Sequence, residues 1–561
     1  MSSVTQAMGL DAPAARRHAD GKLYLPGSLI RGKIREQAVF LGLNRLTELF
    51  GRESGNRQNG NETVEPDRTK IIFTDFIDAL KRSPTRRFRI AIDDDRATAD
   101  DQMLAVLESP YAPGEEVAFA GSVRVFASDG ERAEIERQLS AALRAVSSVG
   151  SQRTVGFGRV SSVEITADAA VGKPKPPVSG STLGLILSTS DLVCVAKPQP
   201  AGNIFESSQN LPGNALKGAI ATTWCMSLGK ADGQICGETD PKRRELGEIF
   251  HKVRIRHAKP VRAGKETRPF EIPLSVIRYG DEWRDTALLK DDPAKWDLVP
   301  SFAPDWKDSP DSLFEQVEIP LELRVRTKID PGRRRAEDEK LFAYEMLSPA
   351  DAYKWVSYID FPSDAPPQAA QQLQELLASG IDVFGKTKAK LRCEFFTPVS
   401  RDDHVKAEVT IRDGWYVLVV QTPALLNDPR RYNVDLRGDY ADAWLGISDG
   451  NLRLSHFRAR QELAGGFYQH RRFAAGRPYK PWLLTSAGSV FVLEPAGDDV
   501  SKAAKTVGRW LRDGLPIPGG AARFYGLNNS PADWAECPYI RENGFGEIAV
   551  NHEVHWERRL G

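Results

Sequence analysis

Short apolar runs of strand length alternate along this chain with amphipathic stretches of helical period, and the order of the two recurs. Residues 22–35, KLYLPGSLIRGKIR, read as an extended segment, a Pro-Gly turn and the first turns of a helix running towards Phe50, with Ser28 at the N-cap. IIFTDF at 71–76 has strand character, 86–107 is charged and irregular, and EVAFAGSVRVFA at 116–127 alternates with period two. A helix over 131–146 follows. VGSQRTVGFGRVSSVEI at 149–165 then reads as a glycine-rich loop and a closing strand. The Pro-rich stretch within 171–180 has the composition of a linker.

Beyond that linker the plan repeats. STLGLILSTSDLVCVA at 181–196 is strand-like, and NLPGNALKGAIATTW at 210–224 restates LYLPGSLIRGKIREQ at 23–37. A strand is expected in ELRVRTKID at 322–330 and a helix over 367–378. FGKTKAKLRCEFF at 384–396 stands where the first unit has its glycine-rich loop and closing strand. WYVLVVQTPALL at 415–426 opens a third unit, which closes with a helix over 500–512 and YIRENGFGEIAV at 539–550. The expected fold class is α+β: two or three ferredoxin-like or RRM-like modules with glycine-rich loops and inserted hairpins. Their bounds are 1–170, 181–400 and 401–561. The first unit has no opening strand before Gly9, so that strand is expected from another chain or from residues upstream.

Composition narrows the class. With 561 residues, 41% hydrophobic and 27% charged, the chain is an ordinary globular protein of more than one domain. No apolar run approaches the ~18–20 residues of a membrane helix, and MSSVTQAMGLDAP does not have the form of a signal peptide. Five scattered cysteines argue against a secreted disulfide framework and for a reducing cytoplasm. Lys+Arg and Asp+Glu balance at 76 each, but the charges are unevenly placed. Residues 241–260 hold seven Lys/Arg against two Glu, and 321–335 hold six against two acids. Such local excess is what phosphate contacts need.

Three motifs carry candidate chemistry. TVGFGRV at 154–160 and NGFGEIA at 543–549 place Gly156 and Gly158, and Gly544 and Gly546, around an aromatic. Glycines there permit positive φ and expose consecutive amides as an anion nest, with Arg153 and Arg159 beside the first. A tight structural turn packed over Phe157 or Phe545 accounts for the same pattern. LPGSLIRGKIR and LPGNALKGA share the form LPGxxxxG, with Arg31 or Lys217 before the last glycine. That form sets a helix N-terminus either at a phosphate or against a nearby backbone. Asp11, in MGLDAP, fits a turn cap before Pro13, or a carboxylate that orients a 2′-hydroxyl or a divalent ion. His18 and Asp20 form no recognised pair. The remaining histidines and cysteines do not have zinc-site spacing, and neither a GxSxG elbow nor an HExxH motif is present.

Together these residues resemble the RAMP superfamily, the RNA-binding subunits of CRISPR effector complexes. Residues 9–165 are similar to the backbone subunit of type III complexes. GLDAP resembles the loop bearing the target-cleaving aspartate, which makes Asp11 the corresponding residue. KLYLPGSLIRGKIR matches the Pro-Gly-Ser motif and basic helix start, implicating Ser28, Arg31, Lys33 and Arg35. FGRESGN and IIFTDF resemble the segments that follow. RRFRIAIDDDRATADD resembles the thumb hairpin, expected over about 86–119 with Arg89, Ile92 and Met103, and TVGFGRV resembles the terminal Gly-rich loop. Residues 181–561 resemble, less tightly, the large two-module RAMP subunit of subtype III-D, through NLPGNALKGA, RVRTKIDPGRRRAEDEKLFAYEML and RENGFGEIAV. That places Arg326 and Lys328 among the RNA contacts. KTKAK departs from the glycine pair expected in the second unit.

The resemblance implies a natural fusion that binds CRISPR guide RNA and its complementary target RNA. The implied partners are a large signature subunit, small subunits and further backbone subunits, and no membrane. It implies one cut in the target near Asp11, with Mg2+ or another divalent cation. A scaffold without nuclease activity, or a guide-processing endonuclease using His18, are the alternatives.

Overall fold

In a computed structural model of the chain, residues 14–17, 20–51, 69–83, 85–93, 95–99, 104–112, 114–127, 129–150, 156–166, 178–197, 203–229, 235, 237–279, 282–288, 314–329, 336–349, 351–398, 409–466, 469–470, 478–497 and 499–557 are described. They form a mixed α+β architecture of several small, mostly antiparallel sheets and the helices packed on them.

The C-terminal region shows the plan most simply. Its four-stranded sheet runs in the order Leu452–Arg458, Val490–Pro495, Tyr416–Val420, Ile548–Val550. Helices Leu436–Ile447 and Val500–Asp513 follow its first and third strands in sequence. This is the βαββαβ order of a split unit. Alternation along the strand decides what each face meets. Tyr416, Leu418 and Val420 pack beneath the helices with Trp444 and Trp510. Val417 and Val419 face the other way and join Phe270, Ala287 and Phe314 of the central region. Both faces are therefore buried, which is why WYVLVV is continuously apolar.

The central region repeats that order. Thr182–Ser188 lies between Tyr353–Asp360 and Ala389–Phe396, with Arg254–Ile255 and Lys259–Arg262 outside the former and Ile381–Phe384 outside the latter. Helices Gly213–Ser227 and Pro367–Leu376 cover one face, over Leu183, Leu185 and Leu187. A separate sheet, Ile204–Phe205, Ala336–Leu347 and Leu321–Ile329, joins this core at Leu347, which bridges to Val193; its first pairing is parallel.

In the N-terminal region, helices Gly27–Phe40 and Asp129–Arg144 pack on the pair Ile71–Phe73 and Val123–Val125. The single strands expected at 71–76 and 116–127 are each broken in two, the second around Gly121, where a Cβ would meet the Phe76 ring at 2.5 Å. The hairpin expected over 86–119 is Thr85–Arg89 paired with Ala105–Ser109, extended by Ile92–Asp93 and Thr98–Ala99.

Two expectations need correcting. The residue preceding the first helix is Pro26, and Ser28 lies exposed inside its first turn, because Pro fixes the entry φ where an N–H has no partner to lose. Among the described residues 156–166 there is no strand after the loop, and the pairing there is an isolated bridge between Ser148 and Arg159. No described helix is long and apolar enough to cross a membrane.

Candidate nucleic-acid interface

The N-terminal loop is held from below and open above. Val149 N–H donates to the Gly158 carbonyl at 2.8 Å, and Val160 N–H to the Ser147 carbonyl at 2.9 Å. Gly158, at φ +65°, lies so close to the Val149 carbonyl oxygen that a Cβ would collide with it. Gly156, at φ +88°, is exposed and has open space where a Cβ would stand. One glycine serves the turn, and the other leaves a bare stretch of backbone at the surface.

The hairpin reaches this loop. The guanidinium carbons of Arg87 and Arg89 lie 5.3 Å and 5.7 Å from the Phe157 ring centroid. Arg159, two residues after the ring, is exposed. Further along the hairpin, Phe88, Ile90, Ile92 and Leu104 are all more than half exposed. Alternation along the strand sets Phe88 on the face opposite Arg87 and Arg89, so the hairpin offers apolar side chains on one face and guanidiniums on the other. Neither Arg87 nor Phe157 stands out as a contact in the sequence, because Arg87 and the ring it covers lie 70 residues apart in the chain.

The first helix start is already occupied. Gly27 N–H donates to Asp75 Oδ1 at 2.8 Å, and the other carboxylate oxygen accepts from Arg324 at 2.9 Å. Asp75 thus supplies the negative charge that a helix N-terminus favours. Arg31 donates to the Phe50 carbonyl, and burial, followed by its neighbour Arg35, holds its guanidinium below the ordinary value. Lys33 pairs with Glu36 at 2.5 Å, and Arg35 is exposed.

The corresponding position in the central region is an interior one. Lys217 is placed inside the protein, not on an RNA-facing surface: its ammonium donates to the carbonyls of His251 at 3.0 Å, Val253 at 2.8 Å and Glu542 at 3.5 Å. Burial, opposed by Glu542, pushes it down to about 7. Arg326 lies half-buried with its guanidinium 5.3 Å from the Tyr344 ring. Lys328 belongs to the strand Leu321–Ile329, and its side chain is outside the described residues.

The C-terminal loop is likewise interior. At Gly544, φ +81°, a Cβ would stand 2.6 Å from the Ile255 carbonyl oxygen, and at Gly546, φ +69°, 3.3 Å from Leu515. Phe545 is edge-on to His257 at 4.6 Å and to Tyr539 at 5.0 Å. Glu547 accepts from Arg256 at 2.8 Å and from Arg268 at 2.5 Å, all three buried. Burial alone would raise the Glu547 carboxyl; Arg268 and Arg256 override it and hold it well below the usual range. Burial pushes the neighbouring His257 down to about 3. Gly544 therefore seats this loop against the central region, Gly546 packs within the C-terminal region with its N–H donating to the Pro423 carbonyl, and their amides do not form an open nest.

Asp11, His18, Met103 and Arg153 lie outside the described residues. Among the described residues no cluster of three or more His, Cys, Asp or Glu side chains is arranged to hold a metal ion.

Residues 8–161 match the family model described as the RAMP superfamily. No curated protein sequence matches the chain. Similar solved structures include a chain of a type III-B Cmr-beta complex bound to cognate target RNA and AMPPnP, 13% identical, TM-score 0.30, with 58% of this chain and 93% of that one covered. A chain of the Csm3-Csm4 subcomplex from a type III-A CRISPR-Cas interference complex is 10% identical, TM-score 0.28, with 56% and 94% covered.

Proposed function

We propose that the chain is a guide-RNA-binding subunit of a CRISPR type III effector complex, which positions guide and complementary target RNA together with other effector subunits. The observation that carries this reading is the arrangement around Phe157. An exposed glycine backbone, two arginines stacked on one ring and a further exposed arginine converge where a hairpin with apolar residues at its surface meets the loop. Bare amides and guanidiniums suit phosphates, and rings and apolar tips suit bases. Pairing between the RNA strands would supply sequence specificity, leaving the protein to track backbone and shape.

Within this reading Asp11 supports a single cut in the target RNA, holding the attacking 2′-hydroxyl in line with the scissile phosphate, in the presence of Mg2+ or another divalent cation. Among the described residues no cluster of three or more His, Cys, Asp or Glu is arranged to hold that ion. The test is cleavage of labelled complementary RNA by the guide-loaded complex with Mg2+, native against Asp11→Ala. Loss of one cut with guide and target binding unchanged supports catalysis at Asp11. An unchanged pattern leaves the chain as a binding scaffold, the reading next in line.

A further inference from the structure

The small sheet of the central region carries a ladder of cations and rings. Phe205 and Tyr344 are register partners across its parallel pair, with ring centroids 5.3 Å apart at 35°. Lys386 Nζ lies 4.0 Å from the centroid of Phe205, and the Arg326 guanidinium 5.3 Å from that of Tyr344. Phe342, the register partner of Arg326, meets Tyr344 edge-on at 5.4 Å. Arg326, Phe342 and Tyr344 share one sheet face by alternation. The rings are only half-buried, and Lys386 is exposed.

We propose that this Lys386–Phe205–Tyr344–Arg326 ladder is a second RNA contact, one that takes unpaired nucleotides; it rests on the RNA-binding reading above. A cross-strand ring pair by itself explains only how Ile204–Phe205 is held to the sheet. It does not explain the two flanking cations, neither of which pairs with a carboxylate among the described residues. The nearby acids are engaged elsewhere: Glu345 accepts from the Ser207 amide at 3.2 Å, and Glu322 from Arg324 at 2.7 Å. Lys386 is also held in place. Its amide donates to the Cys194 carbonyl at 2.8 Å, in a turn that Gly385 enters at φ +64°.

Flat rings with a cation at either end match a flat base with a phosphate beside it. The faces of paired bases are already stacked in a duplex, so the ladder selects single strands. On the same face Arg324 stacks over Tyr24 of the N-terminal region at 4.2 Å and binds Asp75, so the ladder abuts the start of the first helix.

The test is fluorescence anisotropy of the full chain with a labelled single-stranded oligouridylate and with an RNA duplex. Phe205→Leu with Tyr344→Leu is expected to weaken single-strand binding about ten-fold or more, leaving duplex binding within about two-fold. Lys386→Gln with Arg326→Gln is expected to make the logarithmic salt dependence shallower by about 1.4. Tyr344→Phe keeps the ring and is expected to retain binding, which separates loss of stacking from loss of fold. Single-strand affinity unchanged in both double variants overturns the ladder. If Arg87→Ala with Arg89→Ala abolishes that binding while the ladder variants do not, the ladder alone fails. If the native chain binds neither RNA, the RNA-binding reading fails and the ladder with it.

Discussion

The chain contains the Gly-Phe-Gly motif at 156–158 and again at 544–546, and the two copies do opposite things. Around Phe157 the backbone is open at Gly156 and the ring is covered by arginines from a neighbouring hairpin. Around Phe545 both glycines are wedged against neighbouring chain, the ring packs on His257 and Tyr539, and the next acid is clamped between buried arginines. Both copies satisfy the positive-φ requirement of a tight turn. Only the first retains a free surface. A glycine motif therefore specifies a backbone shape, and the surroundings decide whether that shape meets a ligand or another part of the protein.

The widest separation between the loops should come from the acid next to the second one. Glu547→Ala leaves Arg256 and Arg268 buried without their shared carboxylate, and a loss of about 3–5 kcal/mol is expected in urea unfolding followed by tryptophan fluorescence. A loss within about 1 kcal/mol would show that the clamp is not what joins the regions.

Substituting the glycines themselves sharpens the contrast. Gly544→Ala meets both a left-handed φ and the Ile255 carbonyl, so about 2–4 kcal/mol is expected. Gly156→Ala meets the φ alone, with about 1–2 kcal/mol expected. Equal costs in parallel unfolding curves would remove the structural distinction between the loops.

Arg87→Ala with Arg89→Ala should move stability by no more than about 0.5 kcal/mol. Its effect belongs to RNA affinity, which is expected to fall about ten-fold with a shallower salt dependence. Affinity unchanged across a salt series would take the first loop out of the RNA interface.

The smallest effect concerns pH. Glu547 has its native value depressed well below 4.5, so its contribution is fully present above that ordinary value and fades only as pH falls through the depressed one. The gap in unfolding midpoint between the native chain and Glu547→Gln should stay constant from pH 7 to 5 and close only in stronger acid. A gap that closes already between pH 7 and 5 contradicts the depressed carboxyl.

Much of the fold was legible because periodicity reports which face of an element is apolar. The helices at 213–227, 367–376 and 500–513 and the strand at 321–329 fall within a few residues of their expected places, while the apolar stretches 181–196 and 415–426 are strand only over 182–188 and 416–420. The site was read less well. Lys217 and Arg31 stand at matching positions of one motif, yet one is enclosed by three carbonyls and the other reaches the carbonyl of Phe50. Asp75 sits in a segment whose local pattern signals only a strand, yet it fills the helix terminus that the LPGxxxxG motif offers to a phosphate.

Local spacing by itself determined the elements, the turns that need glycine and the positions where cations gather, because these depend on residues a few places apart. Which glycine loop stays open, which lysine is enclosed, and which cations find rings instead of carboxylates were decided by tertiary structure alone. Those outcomes depend on groups tens to hundreds of residues away, such as Arg87 with Phe157, Glu547 with Arg268 and Lys386 with Phe205, and burial and pairing are properties of that assembled neighbourhood.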